Sequence, residues 1–156
     1  MILHTYSDGG ARGNPGPAAI GAVLCDEQGR VVEEQARCIG ETTNNRAEYN
    51  AMLLALELAE KRGARRLICT ADSELLIFQL LGRYRIKDLT LQALAEKVKS
   101  LTARFDSVTF RQVPREHPMI ARADKLLNQA LDKARGKAPF RPPAAPPEAG
   151  QGELFG

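Results

Sequence analysis

The chain has 156 residues, 44% of them hydrophobic and 26% charged, with a net charge of +3. That composition suits one globular domain with an ordinary core and excludes a disordered chain. No apolar run approaches the roughly 18 residues of a membrane span, the opening MILHTYSD has neither a charged leader nor a long apolar stretch, and no Cys/His spacing matches a zinc site.

Cys25, Cys38 and Cys69 lie in apolar or strand-like stretches and read as buried reduced thiols. A cytoplasmic location, no membrane association and a monomer are therefore expected. The mild positive charge is compatible with a polyanionic partner without requiring one. Basic residues cluster at Lys61, Arg62, Arg65, Arg66 and again at Arg83, Arg85, Lys87. Each cluster is either a phosphate track or a solvated surface.

In chain order, residues 2–7 read as a strand stopping at Asp8-Gly9-Gly10, and 18–25 (AAIGAVLC) as a second strand. Asp26-Glu27-Gln28-Gly29 is a hairpin turn into a third strand near 30–39. A helix is predicted over 45–62, closed by Gly63, with Ala47, Ala51, Leu54 and Leu58 on one face. Met52, Ala55 and Ala59 add a second apolar face, so this helix should be largely buried. A fourth strand at 66–71 precedes a short helix over 73–81, which Gly82 breaks. A further helix over 88–103, a fifth strand at 107–113 and a last helix over 121–135 complete the series.

The order βββαβααβα describes an α/β domain with a mixed sheet and helices on its faces. From residue 136 the composition changes, with five prolines between 139 and 147 and no periodicity. Residues 1–135 are therefore read as the domain, and 136–156 as an unstructured proline-rich tail.

Four carboxylates stand where a strand or loop gives way to a turn or helix: Asp8, Glu48, Asp72 and Asp124. Each has a local explanation. Asp8 before Gly9 suits a tight turn, and Glu48 could reach back to the Asn45 amide in a capping box. Asp72 could cap the helix it precedes, and Asp124 would fall in the first turn of the last helix. The alternative is convergence. If the first and fourth strands are parallel neighbours, Asp8 and Asp72 share the crevice beyond their carboxyl ends. Acids from several elements could then hold two divalent cations for phosphodiester hydrolysis.

The words around the acids are TYSDGGARGNPGPAAIGAVL, TTNNRAEYNAMLLALELA, TADSELL and ARADKLLNQAL. In this order and spacing they resemble the type 1 ribonuclease H family, in the compact subtype that lacks a basic protrusion. The resemblance covers residues 2–135 and rests most on DGGARGNPGP and TTNNRAE. It implies a ribonuclease H-like fold, a five-stranded mixed sheet with helices on both faces. It also implies an endonuclease that cleaves the RNA strand of RNA/DNA hybrids with two Mg²⁺ ions, Mn²⁺ being a possible substitute, leaving a 5′-phosphate and a 3′-hydroxyl. Asp8, Glu48, Asp72 and Asp124 become the metal ligands. Gly9, Gly10, Asn14, Asn44 and Asn45 fall at hybrid-contacting positions, and Glu74 stands where the family often has Gln. Residue chemistry agrees: glycines allow close backbone approach, and amides can read the 2′-hydroxyls that distinguish RNA from DNA.

Larger family members place a His further ahead of the last acid than His117, which stands seven residues before Asp124 in VPREHPMIARAD. His117 is either a flexible-loop proton carrier that takes part in catalysis or a surface histidine beside Pro118. His4, in the first strand, reads as structural. The terminal Gln151-Gly152-Glu153-Leu154-Phe155 resembles peptides that dock on the bacterial sliding clamp, with Gln151, Leu154 and Phe155 as anchors. That docking would place the chain in DNA replication; otherwise the segment is a disordered end. The rivals are a non-catalytic hybrid-binding module, which has no use for four acids facing a polyanion, and a DNA-cutting relative, which has less use for TTNNRAE.

Overall fold

The computed structural model describes residues 1–137. Its elements are β1 (Ile2–Ala11), β2 (Gly16–Cys25), β3 (Val31–Thr42), α1 (Asn44–Lys61), β4 (Arg66–Ala71), α2 (Glu74–Leu80), α3 (Leu89–Thr102), β5 (Ser107–Gln112) and α4 (Pro118–Lys137). The predicted element order is reproduced. The five strands form one mixed sheet in the order β3-β2-β1-β4-β5. β1 pairs antiparallel with β2 and parallel with β4, so the expected neighbours are neighbours. No helix among the described residues is long and apolar enough to cross a membrane.

Strand alternation divides the core in two. On β2, Ala18, Ile20, Ala22 and Leu24 join the cluster that includes Ala51, Met52 and Ala55 of α1 and Leu94 of α3. The intervening Val23 and Cys25 pack instead with Ile120 and Ala123 of α4, while Ala19 meets Leu127 and Leu131. α1 and α3 therefore cover one face and α4 the other. Two glycines permit the closest approaches. A Cβ on Gly9 would overlap the Ala47 carbonyl of α1, and one on Gly21 would collide with the Ala123 carbonyl of α4.

Several boundaries depart from expectation, and the departures bear on the acids. β1 does not stop at Asp8. It continues to Ala11 because β2 supplies antiparallel partners throughout, Asp8 opposite Gly21 and Ala11 opposite Ala18. Pairing overrides the turn preference of the glycines, and Asp8 sits inside a strand. α1 is capped by Thr43, whose side chain accepts from the Arg46 amide. The Asn45–Glu48 capping box is thus not formed. Ser73, not Asp72, caps α2, accepting from Leu76 N. α4 begins at Pro118, well suited to a first helical position, so Asp124 lies in its second turn, away from the N-terminus. All four acids lose their local explanations.

Cys25 and Cys69 are buried as expected, but Cys38 is exposed on β3 because that edge strand leaves one face largely to solvent. The tail residues Gln151, Leu154 and Phe155 lie outside the described residues.

Candidate active site

Parallel pairing of β1 and β4 brings Asp8 and Asp72 to the same edge of the sheet, Asp72 following directly after Ala71 at the end of β4. α1 starts at Asn44, which places Glu48 one turn in and beside β1. Its Oε1 accepts a hydrogen bond from Gly9 N at 3.2 Å. Carboxylate oxygens of Asp8, Glu48 and Asp72 all lie within 4.8 Å of one another. Asp124 is outside that trio but lines the same cavity as Asp8 and lies near enough to raise the Asp8 pKa. Asp8 is thus the shared member of two acidic groupings.

Clustered acids raise one another's pKa, and burial adds to this. The Asp8 carboxyl is pushed up to about 8, by burial first, then by Asp72 and by the hydrogen bond and charge of Asp124; Arg115 pulls it partly back. Glu48 is also raised well above its ordinary value by burial and by Asp8 and Asp72, with the Gly9 amide and Arg115 opposing.

The donor set fits a hard divalent cation. Asp72 Oδ1 is buried and has no hydrogen-bond partner among the described residues, an arrangement that is unfavourable for a carboxylate unless a cation takes the lone pairs. The nearest basic group, Arg115 Nε, lies 3.9 Å from Asp72 Oδ2 and is largely exposed. A cavity of about 390 Å³ opens over Asp8, Gly10, Glu48 and Asp124, with Asn44 and Arg115 at its wall.

The hybrid-contact candidates separate into two groups. Asn44 N donates to Asn14 Oδ1 at 3.0 Å, and Ala11 N donates to Asn44 Oδ1 at 2.8 Å. These bonds fasten the β1–β2 loop to the head of α1 through the side-chain carbonyls. The NH₂ groups, which can only donate, take no part in these two bonds. Gly9 and Gly10 border the same cavity. Asn45 is exposed in the first turn of α1, and Glu74 is exposed at the start of α2, away from the cavity wall.

His117 does not join the acids. It stacks on Tyr6, with ring centroids 5.3 Å apart and 25° between planes, and its Nδ1 accepts from Met119 N at 3.2 Å. Its loop is a tight turn closed by His117 N donating to Pro114 O. Sequence reasoning gave no role to Arg115, two residues earlier. The signal was the proximity of VPRE to the end of β5: Val113 N bonds Ala71 O, and Gln112 Nε2 bonds Asp72 O at 3.1 Å, which lays this loop against the third acid.

Residues 6–130 match a family model described as reverse transcriptase-like. The ribonuclease HI of Halobacterium salinarum is 42% identical over 132 residues, which is 85% of this chain and 65% of that protein. The chain thus spans about two thirds of that relative's length. Among solved structures, RNase H1 from the halophilic archaeon Halobacterium salinarum superposes with a TM-score of 0.82 at 40% identity, covering 85% of this chain and 99% of that one. LC11-RNase H1, solved in complex with an RNA/DNA hybrid, gives a TM-score of 0.80 at 43% identity, covering 85% and 98%.

Proposed function

Because the chain belongs to the type 1 ribonuclease H family, we propose that it is an endonuclease hydrolysing the RNA strand of RNA/DNA hybrids, leaving a 5′-phosphate and a 3′-hydroxyl. The observation that carries this reading is the convergence of Asp8, Glu48 and Asp72 within 4.8 Å, with Asp124 on the wall of the same cavity as Asp8.

Asp8, Glu48 and Asp72 would hold one divalent cation and Asp8 with Asp124 a second, Mg²⁺ in the first instance and Mn²⁺ as a substitute. When bound, such ions neutralise phosphate charge and activate water for in-line attack. The chain's own residues do the rest. Glu48, anchored by Gly9 N, fixes the distance between α1 and β1. Asn14 and Asn44 present amide donors where a hybrid's minor groove would display 2′-hydroxyls on one strand only. Gly10, whose Cβ direction is nearly open, allows a ribose to come close to the backbone. Arg115 offers a cation for phosphate at the rim, compensating the charge of the acids beneath it.

The tail adds a partner. Gln151, Leu154 and Phe155 would dock on a sliding clamp. The enzyme would then work at primers in the cytoplasm during DNA replication. A peptide of the last ten residues, titrated against purified clamp with and without Leu154 and Phe155 changed to Ala, tests this. No binding by the unmodified peptide ends it.

The activity itself is tested with labelled hybrid, duplex DNA and duplex RNA in Mg²⁺, with Asp8→Asn as control. Selective loss of the RNA strand of the hybrid is expected. Hybrid that survives both Mg²⁺ and Mn²⁺ removes the enzyme reading and leaves the non-catalytic binding module.

A further inference from the structure

α4 is tied to the sheet in two ways. Arg122 meets Glu34 at 2.6 Å and Cys38 Sγ contacts the Ala130 carbonyl at 3.3 Å, both on β3, which carries no site acid. Two other ties reach β1, the strand that carries Asp8, and Arg12, the residue that follows it. At the head of α4, the His117 ring lies on Tyr6 and is held from the other side by Met119 N. Further along, Arg12 donates to Asn128 O at 3.3 Å and to Asn128 Oδ1 at 3.2 Å, and pairs with Asp132 at 2.9 Å. Asn128 Nδ2 in turn donates to the Asp124 carbonyl at 2.9 Å. Tyr6 and Arg12 flank Asp8, as His117 and Asn128 flank Asp124.

We propose that Arg12 and His117 are positioning residues: together they set the separation of Asp8 from Asp124, and so build the second cation-holding pair of the site. Asp8 and Asp124 sit on different elements, β1 and α4, so nothing local fixes their separation. Apolar contacts through Ile120, Ala123 and Leu127 hold α4 on the sheet, but such packing is non-directional. Directional bonds on both sides of the pair resist sliding and lifting of the helix. Outer partners of this kind orient ligands and tune cation affinity.

The inference rests on the proposed function, but its test does not require cleavage. The full chain is titrated with Mn²⁺, and the free ion is followed by its paramagnetic resonance signal. Arg12→Met removes a cation bordering the site, so electrostatics alone would tighten Mn²⁺ binding. Loss of a tie weakens it, by about tenfold at half-saturation, the low end for outer partners because the pair is partly exposed. Arg12→Lys, which keeps a cation for Asp132 and donors for Asn128, should hold binding to within about twofold of the parent. His117→Phe keeps a ring on Tyr6 but gives Met119 N no acceptor, and should cost about threefold. Glu34→Gln, which removes only the ion pair between α4 and β3, should leave the titration unchanged.

Unchanged or tighter Mn²⁺ binding in both Arg12→Met and His117→Phe overturns the proposal, and points to direct contact of Arg12 with substrate and proton transfer by His117. Equal weakening in Glu34→Gln also overturns it, since general loosening of α4 would then suffice. If Arg12→Met does not fold, the Arg12→Lys chain decides: loss of Mn²⁺ binding in that folded chain, with the cation and its donors kept, refutes the tie. A chain that binds Mn²⁺ as described but cuts no hybrid ends the nuclease reading and leaves this one standing.

Discussion

Replacing Asp8 with Asn should stabilise the metal-free protein, and the gain should depend on pH. In the folded chain the Asp8 carboxyl keeps its proton up to about pH 8, whereas its ordinary value is 3.8. Between those values the folded state binds more protons than the unfolded state, so stability falls as pH rises across that window and levels off above it. Each tenfold change in proton affinity is worth about 1.4 kcal/mol, so the full displacement would amount to roughly 5–6 kcal/mol. Glu48 is itself raised by the Asp8 charge, so neutralising one relieves the other, which leaves roughly 2–3 kcal/mol for the single substitution. At about 3 °C per kcal/mol for a chain of this size, the variant should melt roughly 6–9 °C above the parent at pH 8.5 in chelator. Near pH 4 the parent carboxyl is protonated and the difference should shrink towards zero. Excess Mg²⁺ should reverse the order at pH 8.5, because only the parent gains from binding the ion. Thermal unfolding across this pH range, with and without chelator, measures all three. A gap independent of pH, or a destabilised variant at pH 8.5 in chelator, would refute the reasoning.

Other substitutions separate structure from chemistry. Glu48→Gln keeps an acceptor for Gly9 N but loses the charge; it should melt no lower than the parent at neutral pH and cleave hybrid at least about 100-fold more slowly. Gly9→Ala forces β1 and α1 apart at the Ala47 carbonyl and should destabilise by about 1–3 kcal/mol in denaturant titration. Gly10→Ala, whose Cβ meets only Leu127 Cδ1 at 3.8 Å, should stay within about 0.5 kcal/mol. Arg115→Ala removes a charge that holds the Asp8 and Glu48 pKa values down. Cation binding requires deprotonated ligands, so the pH midpoint of Mn²⁺ binding should move upward; a downward move would contradict the assignment.

The topology was legible because apolar spacing changes cleanly from alternation in AAIGAVLC to helical repeats in 47–59. The site was legible because its words are local: DGG, NNRAE and ADS each carry an acid with its neighbours. What escaped were boundaries decided by tertiary pairing. Gly9 and Gly10 read as a turn because nothing local reveals that β2 will run alongside them to Ala11. Thr43 displaced Asn45 as the α1 cap because the β1–β2 loop engages the Asn44 amide and side chain instead. α4 starts a turn before the predicted 121, at Pro118, whose fixed φ suits a first helical position. Arg115 and Arg12 were invisible for a different reason. Their partners Asp72, Asn128 and Asp132 are remote in sequence, and surface arginines have no local signature.

Gly9 and Gly21 sit at adjacent registers of neighbouring strands, one open towards α1 and the other towards α4. Backbone therefore presses on backbone from both sides of the sheet at the level of Asp8, with no side chain between to yield. A region built this way has no soft layer through which it could open on its own. The amides of Ser7, Asp8 and Gly9 should exchange with solvent deuterium only when the whole domain unfolds, at the slowest rates in the molecule. The catalytic edge would then be among the last parts of the chain to breathe, unlike enzymes whose acids ride on loops, and substrate entry would have to be accommodated by the rim that surrounds it.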